Sequence, residues 1–317
     1  MQYAMEGVKA ILTIAIIVYI GFYLYGKGWF DEKSSQLVVR LVTRISLPIF
    51  MIRGLIHHFT AQSLMAMAKD LLIPMVSISL AMIGGIVLAK LLHIERGKRG
   101  LFITNCFIAN TVFIGLPVNA SLFGNESIPA AMLYYIANTT FFWTVGVHLI
   151  VSDIPGQIAP PLFSRDTLKK VMSPPLIAFI VGLLLVMLGI TFPPFIDSAM
   201  LYVGNLTTPL SLLFVGIELG RVDWKTISLG RDLVGSILGR FILCPLCVLI
   251  LLPFIPVTSL SAKVFTLQAA MPAMTQMTII TRMYGGNSRF AAMITLITIL
   301  GGLVTIPFYM TIVNMYC

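Results

Sequence analysis

The chain has 317 residues, of which 58% are hydrophobic and only 10% charged, with a formal net charge of +9. Its mean hydropathy is +0.97. Soluble globular domains carry about 25% charged residues, so this chain lacks the polar surface that would cover a protein in water. The composition also excludes a disordered chain, a collagen, a coiled coil and a disulfide scaffold, and it predicts a protein that spans a membrane several times.

Apolar runs separated by charged residues, glycine and proline predict ten transmembrane helices in an all-α fold. About 20 apolar residues cross the hydrocarbon core, so a chain of this length has room for about ten spans with short loops. No chain remains for a soluble catalytic domain, and no enzyme motif is found, so we expect neither an enzyme nor catalytic residues. The predicted spans are residues 7–25, 34–55, 67–91, 99–123, 128–152, 171–190, 198–220, 227–253, 262–284 and 288–315.

The basic residues predict the orientation of these spans. Alternate numbering of the loops places fourteen of the 21 Lys and Arg on one side of the bilayer and four on the other, with Arg40, Arg44 and Arg240 inside spans. Cytoplasmic loops retain the excess of Lys and Arg, so both termini are predicted to face outwards. This retention also explains the positive net charge, and no nucleic-acid partner is expected.

A shift of 161 residues aligns the two halves of the chain and predicts an internal repeat. The repeats would comprise residues 1–152 and 171–317, joined by a cytoplasmic connector at 153–170. Because five helices is an odd number, the second copy would enter the membrane from the opposite face, as in the inverted repeats of many secondary transporters. The aligned pairs include Gly21 and Gly182, Pro48 and Pro209, Gly124 and Gly285, and Ser127 and Ser288.

The fourth predicted span contains Asn110, Thr111, Gly115 and Pro117. Proline has no N–H and its ring clashes with the preceding turn, and glycine weakens a helix locally. We therefore expect this helix to be broken at Gly115 and Pro117. Freed backbone groups are tolerated in lipid only where protein or a cavity satisfies them, and Asn110 and Thr111 could do so.

The ninth predicted span repeats this pattern with Gln268, Met271, Pro272 and Thr275. The 161-residue shift places Thr111 on Pro272, so both interruptions fall near the middle of matched helices. Helix N-termini carry free N–H groups and a partial positive charge that suit a carboxylate. The two spans together predict a binding site for an anion.

Three further residues complete the predicted binding set. Arg44 would lie about 15 Å into the bilayer by helix rise, where an ionisable residue is usually functional, unless its side chain snorkels to the headgroups. Ser46 and Asn205 lie on the helices of Pro48 and Pro209. No Asp or Glu falls in the middle of any predicted span, which favours an anionic solute. No metal site or cofactor is predicted.

The string Asn110-Thr111, with Gly115 and Pro117 and with AAMPAMTQ in the ninth span, resembles the auxin efflux carrier family and its bacterial relatives. The resemblance implies a fold similar to the sodium/bile-acid symporters, with a scaffold of helices 1, 2, 6 and 7 and a core of helices 3–5 and 8–10 that contains the crossed, broken helices 4 and 9. It further implies a homodimer in a bacterial inner membrane. By matching position it assigns the crossover to Asn110, Thr111, Gly115, Pro117, Met271 and Pro272.

The family resemblance and the residues together predict a carrier of a small organic anion, such as malate, malonate or an auxin-like acid, that works by alternating access. Two alternatives stay open at this point: a sodium-coupled symporter of the bile-acid type, and a membrane sensor or scaffold that does not transport. The sequence does not decide which anion is carried, in which direction, or whether Na⁺ or H⁺ is coupled to it.

Overall fold

A computed structural model describes residues 2–162, 164–221 and 230–316, and within these ranges all regular elements are helical apart from one isolated two-residue bridge. The predicted all-α class is confirmed. The predicted start of the eighth span, residues 227–229, lies outside the described residues. The helices are α1 (Gln2–Gly26), α2 (Glu32–His58), α3 (Ala61–Leu91), α4 (Arg99–Phe107), α5 (Thr111–Phe123), α6 (residues 128–152), α7 (Arg165–Val171), α8 (Pro174–Met187), α9 (Pro194–Gly220), α10 (Arg231–Leu251), α11 (Ser259–Ala269), α12 (Gln276–Met283) and α13 (Ser288–Tyr316).

Five of these helices are long and apolar enough to cross a membrane alone, namely α2, α3, α9, α10 and α13. Helices α7 and α8 meet at a bend of 67° and supply a sixth if they are counted as one span. Apolar residues remain exposed along these helices, for example Tyr202 and Val304, which is expected where lipid replaces water as the solvent. The predicted number of ten spans and their inverted repeat stay predictions.

Wide π turns precede three prolines of the described helices. The turns Val42–Ser46, Thr111–Gly115 and Gly239–Leu243 each end two residues before a proline, at positions 48, 117 and 245. A π turn inserts one extra residue into the hydrogen-bond ladder, and the helix continues past the residue that cannot donate.

The predicted break at Gly115 and Pro117 is therefore wrong. Helix α5 is continuous through both residues, and Pro117 lies in the first turn after the π turn. The interruption of the fourth predicted span lies earlier, at residues 108–110, between α4 and α5.

The described chain divides into two compact units. The first comprises residues up to 70, 112–132 and 172–221. In it α1 packs along α9, and α2 packs along α8. Both contacts need glycine: a Cβ on Gly21 would lie 2.2 Å from the Leu213 carbonyl oxygen, and one on Gly182 would lie 2.7 Å from Leu55 Cδ1.

The second unit comprises residues 71–111, 133–171 and the described residues from 230 onwards. Helix α4 packs against α3, against the end of α6 and against α10, while α11 and α12 pack against α13. Glycine again allows close approach, since a Cβ on Gly239 of α10 would lie 2.3 Å from Cys106 Sγ of α4. The fully buried side chains of this unit include an arginine, Arg240, as well as Phe102, Phe107 and Phe265.

Candidate substrate site at the paired helix interruptions

Two helix interruptions pair with each other inside the second unit. Helix α4 ends where the backbone becomes extended at Ile108 (φ −108°, ψ 123°), and α11 ends at Ala269, with six residues between it and the start of α12. Ala109 and Ala273 form an antiparallel bridge, and the Asn110 N–H donates to the Pro272 carbonyl over 2.8 Å. The two breaks thus satisfy part of their backbone by pairing like short strands.

The first interruption is fixed by an amide from α6. The Ala109 N–H donates to Asn138 Oδ1 over 2.9 Å, and Asn138 Nδ2 donates to the Ala109 carbonyl over 3.0 Å. Both residues are fully buried. The Asn138 side chain therefore replaces the partner strand that Ala109 lacks on its second edge.

The second interruption is fixed by a hydroxyl from α13. The Ala273 N–H donates to Thr298 Oγ1 over 3.0 Å, and that hydroxyl donates in turn to the Ile294 carbonyl over 2.7 Å. Thr298 is fully buried. The second break therefore repeats the first, with one side-chain bond where the first has two.

Arg240 binds the two backbone carbonyls that lose their helical donors because the N–H groups of Ala109 and Ala273 bond to side chains. In a continuous helix the N–H groups of Ala109 and Ala273 would donate to the carbonyls of Asn105 and Ala269, four residues earlier. Instead, Arg240 Nη1 donates to the Asn105 carbonyl over 3.0 Å and Nη2 to the Ala269 carbonyl over 2.5 Å. One guanidinium thus joins the C-terminal ends of α4 and α11. Within the described part of the chain, it forms no ion pair with Asp or Glu.

Further polar atoms lie close to the paired breaks. Gln268 Nε2 reaches the Thr111 carbonyl over 3.4 Å. The Thr111 hydroxyl is buried and has no hydrogen-bond partner among the described residues. At the start of α12 the carbonyls of Met274 and Thr275 accept only bonds from three residues ahead, which is how the first turn of a helix tightens. The paired breaks therefore bring several buried polar groups together.

The structure brings together most of the predicted site residues, but not all of them. Asn110, Thr111, Gln268, Met271 and Pro272 lie at the paired breaks and are buried, and buried Thr275 directly precedes α12. The remaining predicted residues belong to the first unit. Among them Gly115, Pro117 and Ser46 are buried, while Arg44 and Asn205 are exposed.

Sequence reasoning missed the residues that hold the breaks. Asn138 and Thr298 are polar residues inside apolar helices, each on the helix that follows an interrupted one, and this position was the only available signal. Arg240 was recognised as a charge within a span and, after Arg44, as a candidate for a role in anion binding. Ala109 and Ala273 are 164 positions apart, whereas the flanking segments align at 161, so the alignment alone could not pair them.

Comparison with known proteins agrees with a role in transport. The chain is 24% identical over 273 residues to an uncharacterized transporter of Methanothermobacter thermautotrophicus, covering 85% of this chain and 86% of that protein. It is 25% identical over 280 residues to an uncharacterized transporter of Methanocaldococcus jannaschii, with the same two shares covered. Both relatives are archaeal.

Residues 6–157 and 162–310 match a family described as membrane transport proteins, which covers nearly the whole chain. This match confirms the family membership predicted from the Asn110-Thr111 motif and the ninth-span segment. The chain is a multi-pass integral membrane protein, and it belongs to the membrane transport protein family.

Proposed function

We propose that the protein is a secondary transporter that moves a small organic anion by alternating access, with its substrate site at the paired interruptions. A carboxylate such as malate, malonate or an auxin-like acid is the expected solute. The observation that carries this proposal is the buried Arg240 guanidinium, which bonds to two carbonyls and to no carboxylate of the described residues. The two helix ends that the guanidinium bonds carry only partial negative charge, so an anion held near the breaks, without contacting the guanidinium, further lowers the cost of burying it.

The partial charges at the helix ends also favour an anion as the solute. The C-terminal ends of α4 and α11, which carry partial negative charge, are already covered by Arg240. The N-terminal end of α12, in the same unit, carries partial positive charge, which suits a carboxylate.

The proposal includes ten spans arranged as two inverted five-helix repeats. In this arrangement α4 and α5 together form one span, and α11 and α12 together form another. Both termini then lie on the side of the membrane that faces away from the cytoplasm. Two structural equivalences support it. Gly124 and Gly285, 161 residues apart, both end a helix with φ of +72°. Gly21 and Gly182, also 161 apart, both sit at close helix contacts within the first unit.

Two related halves of opposite orientation supply two related conformations, one open to each side of the membrane. An inside-negative membrane potential favours export of an anion by about 2.3 kcal/mol per charge per 100 mV. Export therefore needs no coupled ion, and we propose export of the anion as the working direction, by a homodimeric carrier.

Flux in proteoliposomes tests this function. Purified protein is reconstituted, and exchange of radiolabelled malate, malonate and indole-3-acetate is measured for the unaltered protein, for Asn110→Ala and for Asn314→Ala. Asn314 is an exposed asparagine on α13 and serves as the matched control. We expect flux of at least one acid with the unaltered protein and Asn314→Ala, and loss of that flux with Asn110→Ala at an unchanged melting temperature.

Two results would overturn the proposal. One is the absence of flux above empty liposomes for all three acids. The other is full flux through Asn110→Ala, which would remove the substrate site from the breaks.

A further inference from the structure

Arg240 lies where a transporter of this construction would otherwise need a bound cation. The last carbonyls of a helix carry about half a negative charge, so two C-terminal ends brought together repel each other. In carriers with broken helices, half-helix C-terminal ends and unwound carbonyls coordinate the coupling Na⁺. Here the C-terminal ends of α4 and α11 share one guanidinium through the Asn105 and Ala269 carbonyls.

Local packing holds the Arg240 side chain in this position. Arg240 lies in the π turn of α10, and Gly239 beside it lets α10 approach Cys106 of α4 closely. The hydroxyl of Tyr309 donates to the carbonyl of Phe241 over 2.5 Å, which ties the same turn to α13. Helices α4, α10, α11 and α13 thus all contribute to the setting of one fully buried side chain.

The guanidinium suits this role better than a mobile ion. Its planar fork of donors reaches two carbonyls at once. Since it is covalently attached, it cannot dissociate when the site opens. No cation would then have to bind or leave during a transport cycle.

We propose that Arg240 is a tethered cation that takes the place of a coupling ion at the paired breaks, so that the carrier operates without sodium. The sodium-independence of transport rests on the proposed function, whereas the cation site itself does not. In this role Arg240 is a positioning residue: it holds the two half-helix ends together and does not contact the solute.

The unaltered protein gives the first test. Melting temperature in detergent and acid flux in proteoliposomes are compared in sodium chloride and in choline chloride at equal concentration. We expect the two salts to give the same melting temperature and the same initial rate. A saturable rise of either quantity with sodium would overturn the proposal.

Chemical rescue gives the second test, with melting temperature as its readout. Arg240→Ala removes the guanidinium and frees both carbonyls, and we expect its melting temperature to fall by about 10 °C or more. Methylguanidinium at millimolar concentration should restore part of this loss. Arg282→Ala, which removes an exposed arginine of α12, is the matched control and should show neither the loss nor the rescue.

Failure of rescue in a folded Arg240→Ala protein would overturn the tethered-cation role. If Arg240→Ala does not fold, Arg240→Lys replaces it, since lysine keeps the charge but cannot reach both carbonyls with one planar fork. The melting temperature of the lysine variant should then lie between those of the unaltered protein and Arg240→Gln, and equal melting temperatures of the two variants would contradict the proposal.

The outcomes also separate this inference from the proposed function. Melting that does not respond to sodium, with successful rescue but no acid flux, would refute the proposed function alone. Flux that requires sodium would refute this inference alone.

Discussion

The two interruptions differ in how many of their free backbone groups are hydrogen-bonded by side chains. The first is three residues long, and both the N–H and the carbonyl of Ala109 are bonded to the Asn138 amide. The second is six residues long and contains Pro272, and the Ala273 N–H is bonded to the single hydroxyl of Thr298. Arg240 is common to both. The comparison indicates that the first break is the more tightly fixed, because local opening is easier where fewer buried bonds must be lost.

The largest effect is expected at the first interruption. Asn138→Ala leaves the buried N–H and carbonyl of Ala109 without their side-chain partner. Each unsatisfied buried group costs about 1–3 kcal/mol, so the free energy of unfolding should fall by about 2–6 kcal/mol. Denaturant unfolding in detergent measures this change, with Asn314→Ala as the exposed control. A loss below about 1 kcal/mol would show that Asn138 does not fix the break.

A smaller effect is expected at the second interruption. Thr298→Val keeps the side-chain shape and removes only the hydroxyl that accepts from Ala273. The expected loss is about 1–3 kcal/mol, the cost of one unsatisfied buried N–H. Thr298→Ser keeps the hydroxyl and should recover most of that loss. If Thr298→Val destabilises the protein more than Asn138→Ala does, the ranking of the two breaks is reversed.

The smallest effect is expected at the start of the two half-helices, which also differ. Helix α4 begins beside an ion pair of Lys98 Nζ and Asp232 at 2.7 Å, whereas α11 begins with a neutral cap in which Thr258 Oγ1 accepts from the Ser261 N–H. The hydrogen bond to Asp232, despite partial burial, raises the pKa of Lys98 above its ordinary value of 10.5.

This raised pKa predicts a pH dependence confined to α4. Because the folded pKa exceeds the unfolded one, the contribution of Lys98 is complete below pH 10.5 and is lost as pH rises through the folded pKa. An exposed ion pair contributes at most about 1 kcal/mol. Unfolding compared at about pH 9 and about pH 11.5, on the two sides of the ordinary lysine pKa, should show this extra loss in Thr258→Ala but not in Lys98→Gln. An equal alkaline loss in Lys98→Gln would assign the effect to another group.

The sequence predicted an interruption in each of two segments, and helices are interrupted at residues 108–110 and 270–275, but the first interruption does not lie at the predicted residues. Gly115 and Pro117 indicated a break there, yet a π turn precedes Pro117 and α5 continues through it. Residues 108–110 contain neither glycine nor proline. Their extended backbone is stabilised by Asn138 and by the partner break, and neither interaction is visible in the local sequence.

The sequence by itself determined the class of this protein and indicated the two segments in which helices are interrupted. Hydropathy decides that lipid is the solvent, and backbone groups in lipid must be satisfied internally, which requires helices. The polar residues near 110 and 272 then mark the exceptions. Only the tertiary structure decided which residues satisfy the backbone groups at these interruptions. Ala109, Ala273, Asn138, Thr298 and Arg240 are far apart in the chain, and their hydrogen bonds form only once separate helices have packed.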